Sequence, residues 1–312
     1  MSTMSRTSNS YWSIGLLLLS HSAIASFLDF TRFGNNPGAL SAKLFKSSPS
    51  RPLVVLLHGC TQNGEDFAQK SGFLAQAERQ NFNLLVPQQS LENNPHLCFN
   101  WYSASDYRKD SGESLSLKNM IMMAKARVDA KRVYIAGLSA GGAMTSIMLL
   151  NYPELFSGGA VIAGLPFPCA DNLEQALSCM KNGPAPEALY AFHPQLKQAK
   201  EDWPKLTIWF GNQDKIVNPV NSQLLAQQWL SLTGAHPTTI ASDTNPVSNG
   251  VSVRQWRSDN KGVQLQLVEI DQIGHGMPVA PGEEGGGESG PYLLKSPLSA
   301  AIAITKFWLL TG

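Results

Sequence analysis

One stretch of this sequence constrains the fold more than any other. Arg132–Ala136 is a short apolar run. Gly137-Leu138-Ser139-Ala140-Gly141 follows it directly, and Ala140–Asn151 then continues with helical character. A strand that turns into a helix through G-x-S-x-G needs a sharp, strained turn, and the flanking glycines leave room for the neighbouring strand and helix. Further apolar runs alternate with amphipathic segments, the pattern of βαβ units around a parallel sheet. Strands are expected at Leu53–His58, Asn83–Pro87, Gly159–Ala163 and Leu206–Phe210, with Val251–Trp256 and Val263–Ile270 as a late pair. Leu53–His58 is almost continuously apolar, as a strand buried on both faces must be. Helices are expected at Glu65–Gln80, Gly112–Ala130, Ala140–Asn151, Val220–Leu232 and Ala300–Leu310. The fold class is therefore α/β, a mostly parallel central sheet flanked by helices. Two irregular regions interrupt it: Ser90–Ser111, and the proline-rich Pro166–Pro204 with its two cysteines. Long irregular segments in a compact domain are usually functional, so both are expected to wall a site above the carboxyl edge of the sheet, where open α/β sheets bind ligands.

Composition narrows the function classes. Of 312 residues, 43% are hydrophobic and only 15% charged, which excludes a disordered chain. Lys and Arg (24) balance Asp and Glu (23), so the basic surplus that phosphate binding requires is missing. No nucleic-acid partner is expected, and no obligate protein partner is evident. At the start, Arg6, the apolar run Ile14–Leu19 and Ala23-Ile24-Ala25 have the order of a secretory signal peptide cut after Ala25. The apolar run is shorter than the roughly 20 residues of a membrane span. The expectation is a signal peptide over 1–25, a single catalytic domain over 26–312, no membrane association after cleavage, and a secreted or periplasmic location. Four cysteines, Cys60, Cys98, Cys169 and Cys179, in an exported chain point to disulfides. Three pairings are open; Cys60–Cys98 with Cys169–Cys179 is favoured. No CxxC or HxxxH spacing marks a metal site.

A serine hydroxyl is too weakly acidic to attack an ester unaided. It needs a base in hydrogen-bond reach and a carboxylate to hold that base. On this scaffold the order is serine, acid, histidine. His193, His236 and His275 follow Ser139. His193 lies in the proline-rich region and His236 in a helix-to-loop connection. His275, between Gly274 and Gly276 just after the last strand, stands where the base belongs. Asp214, just beyond Leu206–Phe210, is the candidate acid, and Asp271, four residues before His275, is its rival. The oxyanion of a tetrahedral intermediate needs preorganised N–H donors. The residue after the nucleophile, Ala140, supplies one, and the loop His58-Gly59-Cys60-Thr61-Gln62 the other, assigned to Cys60. His58 is read as ordering that loop.

With these residues assembled, the chain resembles the poly(3-hydroxybutyrate) depolymerase family of esterases, itself similar to feruloyl and acetylxylan esterases. The matching stretches are Leu57–Gln62, Asp66-Phe67-Ala68, Cys98–Trp101, Gly137–Thr145, Gly164-Leu165-Pro166, Asp214 with Asn218-Pro219, and Gly274–Gly276. The resemblance implies an α/β-hydrolase fold, a Ser139–Asp214–His275 triad, and no metal or organic cofactor. It also implies a disulfide behind Cys60 and a place for Trp101 on the substrate wall. Its substrate would be an ester, with oligomers, amorphous polymer or small esters preferred to crystalline polymer. Gly282–Gly290 has no cysteine, unlike related chains, and is expected to be flexible. The alternatives are a feruloyl or acetylxylan esterase, a peptidase on the same fold, and a binding protein on a hydrolase scaffold.

Overall fold

The computed structural model describes residues 26–185, 202–234, 250–258, 262–308 and 310. The expected signal peptide, His193 and His236 lie outside the described residues. In chain order the strands are β1 (Leu28–Asp29), β2 (Ser41–Phe45), β3 (Leu53–Leu57), β4 (Asn83–Gln88), β5 (Val133–Leu138), β6 (Gly158–Ile162), β7 (Lys205–Gly211), β8 (Val251–Ser258), β9 (Gly262–Ile270), β10 (Met277–Val279) and β11 (Leu293–Lys295). The helices are α1 (Gly64–Lys70), α2 (Phe73–Gln80), α3 (Ala104–Tyr107), α4 (Gly112–Arg127), α5 (Ala140–Asn151), α6 (Leu173–Asn182), α7 (Val220–Thr233) and α8 (Ala300–Phe307). Among the described residues the main sheet has the order β1-β2-β4-β3-β5-β6-β7-β9-β8. From β4 through β9 every pairing is parallel, and antiparallel strands close both edges.

The period-two alternation of a strand divides the core between two faces. Leu53, Val55, Leu57, Val133, Ile135, Leu206 and Ile208 pack with Leu117, Met120, Ile121, Met144, Ile147 and Trp229 of α4, α5 and α7. Val54, Leu56, Tyr134, Ala136, Trp209 and Val268 pack on the other face with Phe67, Phe73, Ile304 and Trp308. All five residues of β3 and all six of β5 are buried. Each large side chain buried this way contributes about 1.5–3 kcal/mol. Both faces are covered, so the carboxyl ends of β3, β5, β7 and β9 are left as the place where loops meet.

Several expectations need correction. Glu65–Gln80 is two helices, broken at Gly72, which has φ 90°. A side chain there would strike the Gly285 carbonyl and the Gly287 amide, so the break makes room for the Gly282–Gly290 segment. That segment is not the loose loop expected. The Glu288 N–H donates to the Lys70 carbonyl (2.7 Å), the Gly286 N–H to the Glu283 carbonyl (2.8 Å), and Gln76 Nε2 to the Gly285 carbonyl (3.1 Å). Lacking a cysteine, it is held by backbone hydrogen bonds. The proline-rich region contains a helix, α6, with Asn172 capping its first turn through the Gln175 N–H. Cys60 bonds to Cys98 and Cys169 to Cys179, the favoured pairing.

Candidate active site

Ser139 follows β5 and precedes α5 with φ 56° and ψ −117°. A non-glycine residue in this region costs about 1–3 kcal/mol and persists only where the surroundings enforce it. The enforcement is visible. The Ser139 N–H donates to the Ile162 carbonyl (2.9 Å), and the Ser139 carbonyl accepts from the Ala143 N–H (2.8 Å). A Cβ at Gly137 would overlap the Gly141 carbonyl, and one at Gly141 would overlap the carbonyls of Leu57 and His58. The two glycines of the motif are thus fixed by backbone approach, which packs the start of α5 against the loop after β3.

His275 Nε2 lies 2.8 Å from Ser139 Oγ, and its Nδ1 lies 2.7 Å from Asp214 Oδ2. The side chains of His275 and Asp214 are 5% and 1% exposed. The second oxygen, Asp214 Oδ1, accepts the N–H groups of Ile216 and Val217, each at 2.9 Å. The acid is therefore locked in orientation before it meets the imidazole. Asp271 has another role: its Oδ1 accepts from Asn212 Nδ2 at 2.7 Å, holding the β7 and β9 ends together. The His275 loop is fixed by the parallel pairing of β10 with β11 and by the Met277 N–H on the Tyr292 carbonyl. The Tyr292 ring stands edge-on to His275, 6.2 Å between centroids.

Ala140 follows Ser139 in the chain, and Cys60 lines the same pocket as Ser139. Ala140 opens α5, and first-turn N–H groups have no partner within a helix. Cys60 follows β3, and among the described residues its N–H meets no acceptor. Its loop is pinned on both sides: Cys60 by the Cys98 disulfide, and Thr61 by its N–H on the His96 carbonyl (2.7 Å). A pocket of ≈ 110 Å³ opens beside Ser139 and His275, lined by Gly59, Cys60, Gln62, Leu138, Met180, Ile216 and Tyr292. Drug-sized ligands occupy roughly 300–1,000 Å³, so this cavity takes one small, mostly apolar group. A larger cavity of ≈ 530 Å³, lined by Tyr107, Arg108 and Phe167, shares no wall residue with the pocket beside Ser139.

Trp101 is not in the pocket wall. It is 6% exposed and packs in the core, edge-on to Tyr102. A large aromatic in an irregular loop signals burial as readily as recognition. Met180, Ile216 and Tyr292 were not legible as pocket residues, because each reaches the site from a segment whose path the sequence does not reveal. His58 is fully buried with both ring nitrogens engaged, and burial pushes its imidazole down to about 4. It is a neutral loop residue, not a second base. Behind it sits Glu113, buried in α4, on whose two oxygens N–H groups of Gln89, Asn93 and Asn100 converge. No signal in the sequence pointed to that side chain.

With the geometry described, comparison with known proteins is informative. The family model described as Esterase PHB depolymerase matches residues 42–251. Poly(3-hydroxyalkanoate) depolymerase C of Paucimonas lemoignei is 34% identical over 324 aligned positions, covering 100% of this chain and 77% of that protein. Acetylxylan esterase A of Emericella nidulans is 27% identical, covering 87% of this chain and 95% of that protein. The solved acetyl xylan esterase from Aspergillus awamori superposes with a TM-score of 0.72 at 20% identity, covering 91% of this chain and 99% of the other. The architecture is that of the α/β-hydrolase esterases.

Proposed function

The chain belongs to the esterase PHB depolymerase family and is a carboxylic ester hydrolase; from that premise we propose that it cleaves hydroxyalkanoate esters, as polyester or oligomer, through a Ser139–His275–Asp214 acyl-enzyme. The observation that carries this reading is the unbroken run of contacts from Ser139 Oγ through His275 to Asp214. Ser139 Oγ attacks the ester carbonyl and its proton passes to His275 Nε2. Asp214 keeps the Nδ1 proton in place and stabilises the imidazolium. The carbonyl oxygen, now an anion, is met by the Cys60 and Ala140 N–H groups. The C–O bond to the alcohol breaks, and the alcohol leaves with the proton from His275. Water enters, gives its proton to His275 and attacks the acyl carbon. Ser139 then departs with that proton, releasing the acid.

The small apolar pocket favours a short aliphatic acyl group over an aromatic one. It also suits acetyl, so an acetylxylan esterase is the second reading. Four cysteines paired as two disulfides support an exported protein. Export is proposed through cleavage of the 1–25 signal peptide, leaving one catalytic domain over 26–312. Among the described residues no helix is long and apolar enough to cross a membrane.

The test is acid release by the mature chain from 3-hydroxybutyrate oligomers, amorphous polyhydroxybutyrate, methyl ferulate and acetylated xylan, with Ser139→Ala as control. Ser139-dependent release from the hydroxybutyrate substrates is expected. Release from ferulate or acetylated xylan alone would replace the substrate reading and keep the mechanism. Equal rates for Ser139→Ala and the native enzyme would overturn the mechanism.

A further inference from the structure

A second cavity stands apart from Ser139. It holds ≈ 530 Å³, against ≈ 110 Å³ for the pocket beside the serine, and helix α6 gives a residue to each. Gln175 lines the larger cavity and Met180 the smaller. Five residues of helix set these two positions about 7.5 Å apart along the axis and roughly 140° apart around it. The helix is therefore a partition between the two spaces.

The lining of the larger cavity has two characters. Part of it is apolar: Phe167 and Ala170 are buried there, and the Tyr107 ring stands edge-on to Phe167, 5.2 Å between centroids. The rest is polar and carries Arg108, Lys109 and Asp171. Asp171 is already engaged. Its Oδ1 accepts the Tyr107 hydroxyl, and its N–H donates to Gln175 Oε1 at 2.8 Å. The Arg108 guanidinium stands by the same hydroxyl, and Lys109 Nζ lies 5.4 Å from the centre of the Tyr152 ring. Asp110, next to Lys109 in the chain, is paired with Lys118 at 2.6 Å. Among the described residues neither Arg108 nor Lys109 has a carboxylate within ion-pair distance. Two cations thus meet the cavity against one hydrogen-bonded carboxylate, and they do so beside an apolar wall.

That combination selects a ligand. An inorganic anion would meet the cations and leave Phe167 and Ala170 in water. A neutral ester would cover the apolar wall and leave the guanidinium unmet. A carboxylate on an aliphatic chain satisfies both. We propose that this cavity is a second binding site, for an aliphatic carboxylate: the carboxylate meets Arg108 and Lys109, and the chain lies against Phe167 and Ala170. The volume is that of a drug-sized ligand, so the cavity admits an oligomer where the pocket at Ser139 takes one small group. The acids released from hydroxyalkanoate esters have this chemistry. Naming them as the ligand rests on the proposed function; the site itself does not.

The experiment is calorimetric titration of Ser139→Ala, so that no ligand is turned over. The ligands are the 3-hydroxybutyrate trimer as free acid, its methyl ester, octanoate, acetate and xylotriose. The trimer acid and octanoate should each bind at one site. The methyl ester and acetate should bind at least about tenfold more weakly, since one lacks the charge and the other the chain. Arg108→Gln combined with Lys109→Gln should weaken both acids by about tenfold or more. Both side chains are exposed, so the double variant should melt with the native protein. With Ser139 restored, its kcat and KM on p-nitrophenyl butyrate should be native, which separates this site from the catalytic pocket. Gln175→Trp, at an exposed position of α6, should narrow the cavity and lower the affinity likewise. Equal affinity for the acid and its methyl ester, or native affinity in both variants, would overturn the proposal. So would xylotriose as the preferred ligand, or no binding of either acid. Octanoate bound without the trimer acid would uphold the site and move its ligand to fatty acids. If the native enzyme shows no Ser139-dependent release from hydroxybutyrate substrates, the proposed function fails, and the octanoate titration still decides on the site.

Discussion

Replacing Asp214 by asparagine changes one atom and should silence the enzyme without unfolding it. In the native site Asp214 Oδ1 accepts two N–H groups, from Ile216 and Val217 at 2.9 Å, and Oδ2 accepts His275 Nδ1 at 2.7 Å. Asparagine has one oxygen for these two places. With the oxygen toward Ile216 and Val217, its NH₂ faces His275 Nδ1, which must then give up its proton. The proton moves to Nε2 and points at Ser139 Oγ, 2.8 Å away, where the lone pair of the base is needed. The reverse orientation restores the tautomer but sets NH₂ against two buried N–H donors. At about 1–3 kcal/mol for each unmet group, that conformer lies roughly 2–6 kcal/mol higher. The upper half of this range corresponds to a loss in kcat near 10⁴, or about 5.5 kcal/mol. Initial rates on a short-chain p-nitrophenyl ester should therefore show kcat down by about 10⁴ with KM little changed. The melting temperature should stay within a few degrees, because the turn at Ile216 and Val217 keeps its cap. Asp271→Asn, whose partner is Asn212, should cost less than about threefold. An Asp214→Asn enzyme that keeps more than a tenth of native kcat, or an Asp271→Asn enzyme equally impaired, would refute the assignment.

Other outcomes follow from the same contacts. Gly141→Ala should destabilise by about 3 kcal/mol or more, since its Cβ meets the Leu57 and His58 carbonyls and backbone there cannot step aside; an unchanged urea midpoint would contradict this. The His58 imidazole is depressed from 6.5 to about 4 by burial, so the unfolded chain takes up a proton that the native state refuses. Stability should fall by about 3 kcal/mol as pH drops from 6.5 to 4, and His58→Asn should remove that component of the slope, read as the difference between two pH–stability curves. The Cys60–Cys98 disulfide spans 38 residues. Replacing both cysteines by alanine should lower stability by about 4 kcal/mol on the chain-entropy estimate, with loss of kcat, and an equally stable double variant would show that the loop is held by hydrogen bonds alone.

Much of the fold could be read from the sequence because parallel strands buried on both faces must be apolar throughout, and the β3 and β5 segments are. That Ser139, Asp214 and His275 would meet was legible for a related reason: each follows a strand, and strand ends are easy to locate. Legibility failed where order depends on distant partners. Ser41–Phe45 alternates weakly, and its register comes from pairing with Asn83–Gln88. The break at Gly72 answers a segment more than two hundred residues away. Gly282–Gly290 looked loose because glycine and glutamate usually are, and nothing local announces its bonds to Lys70 and Gln76. Trp101 belonged to a recognisable stretch, yet only packing decides whether an indole faces ligand or core. Glu113 sits among ordinary helix residues. Its importance lies wholly in the donors that the Gln89–Asn100 segment brings to it.

The pieces around Ser139 are held by contacts that owe nothing to substrate. Backbone crowding at Gly137 and Gly141 holds the serine in its strained turn. Two N–H groups of the following turn orient the acid. The pairing of Met277–Val279 with Leu293–Lys295 holds the histidine loop, and the Cys60–Cys98 disulfide and the His58 ring on the Gly59 carbonyl hold the loop after β3. In the proposed mechanism such a site meets the developing oxyanion without reorganising, which is where electrostatic catalysis gains most. The order is established during folding, so with the proposed polyester or oligomer substrate, binding energy from the rest of that chain is not spent on assembling the donors. It remains available for placing the ester carbonyl between Ser139 and the two N–H groups. Reaction on this scaffold should therefore depend on what enters the small pocket beside Leu138, Met180 and Ile216, while the catalytic geometry stays constant from one ester to the next.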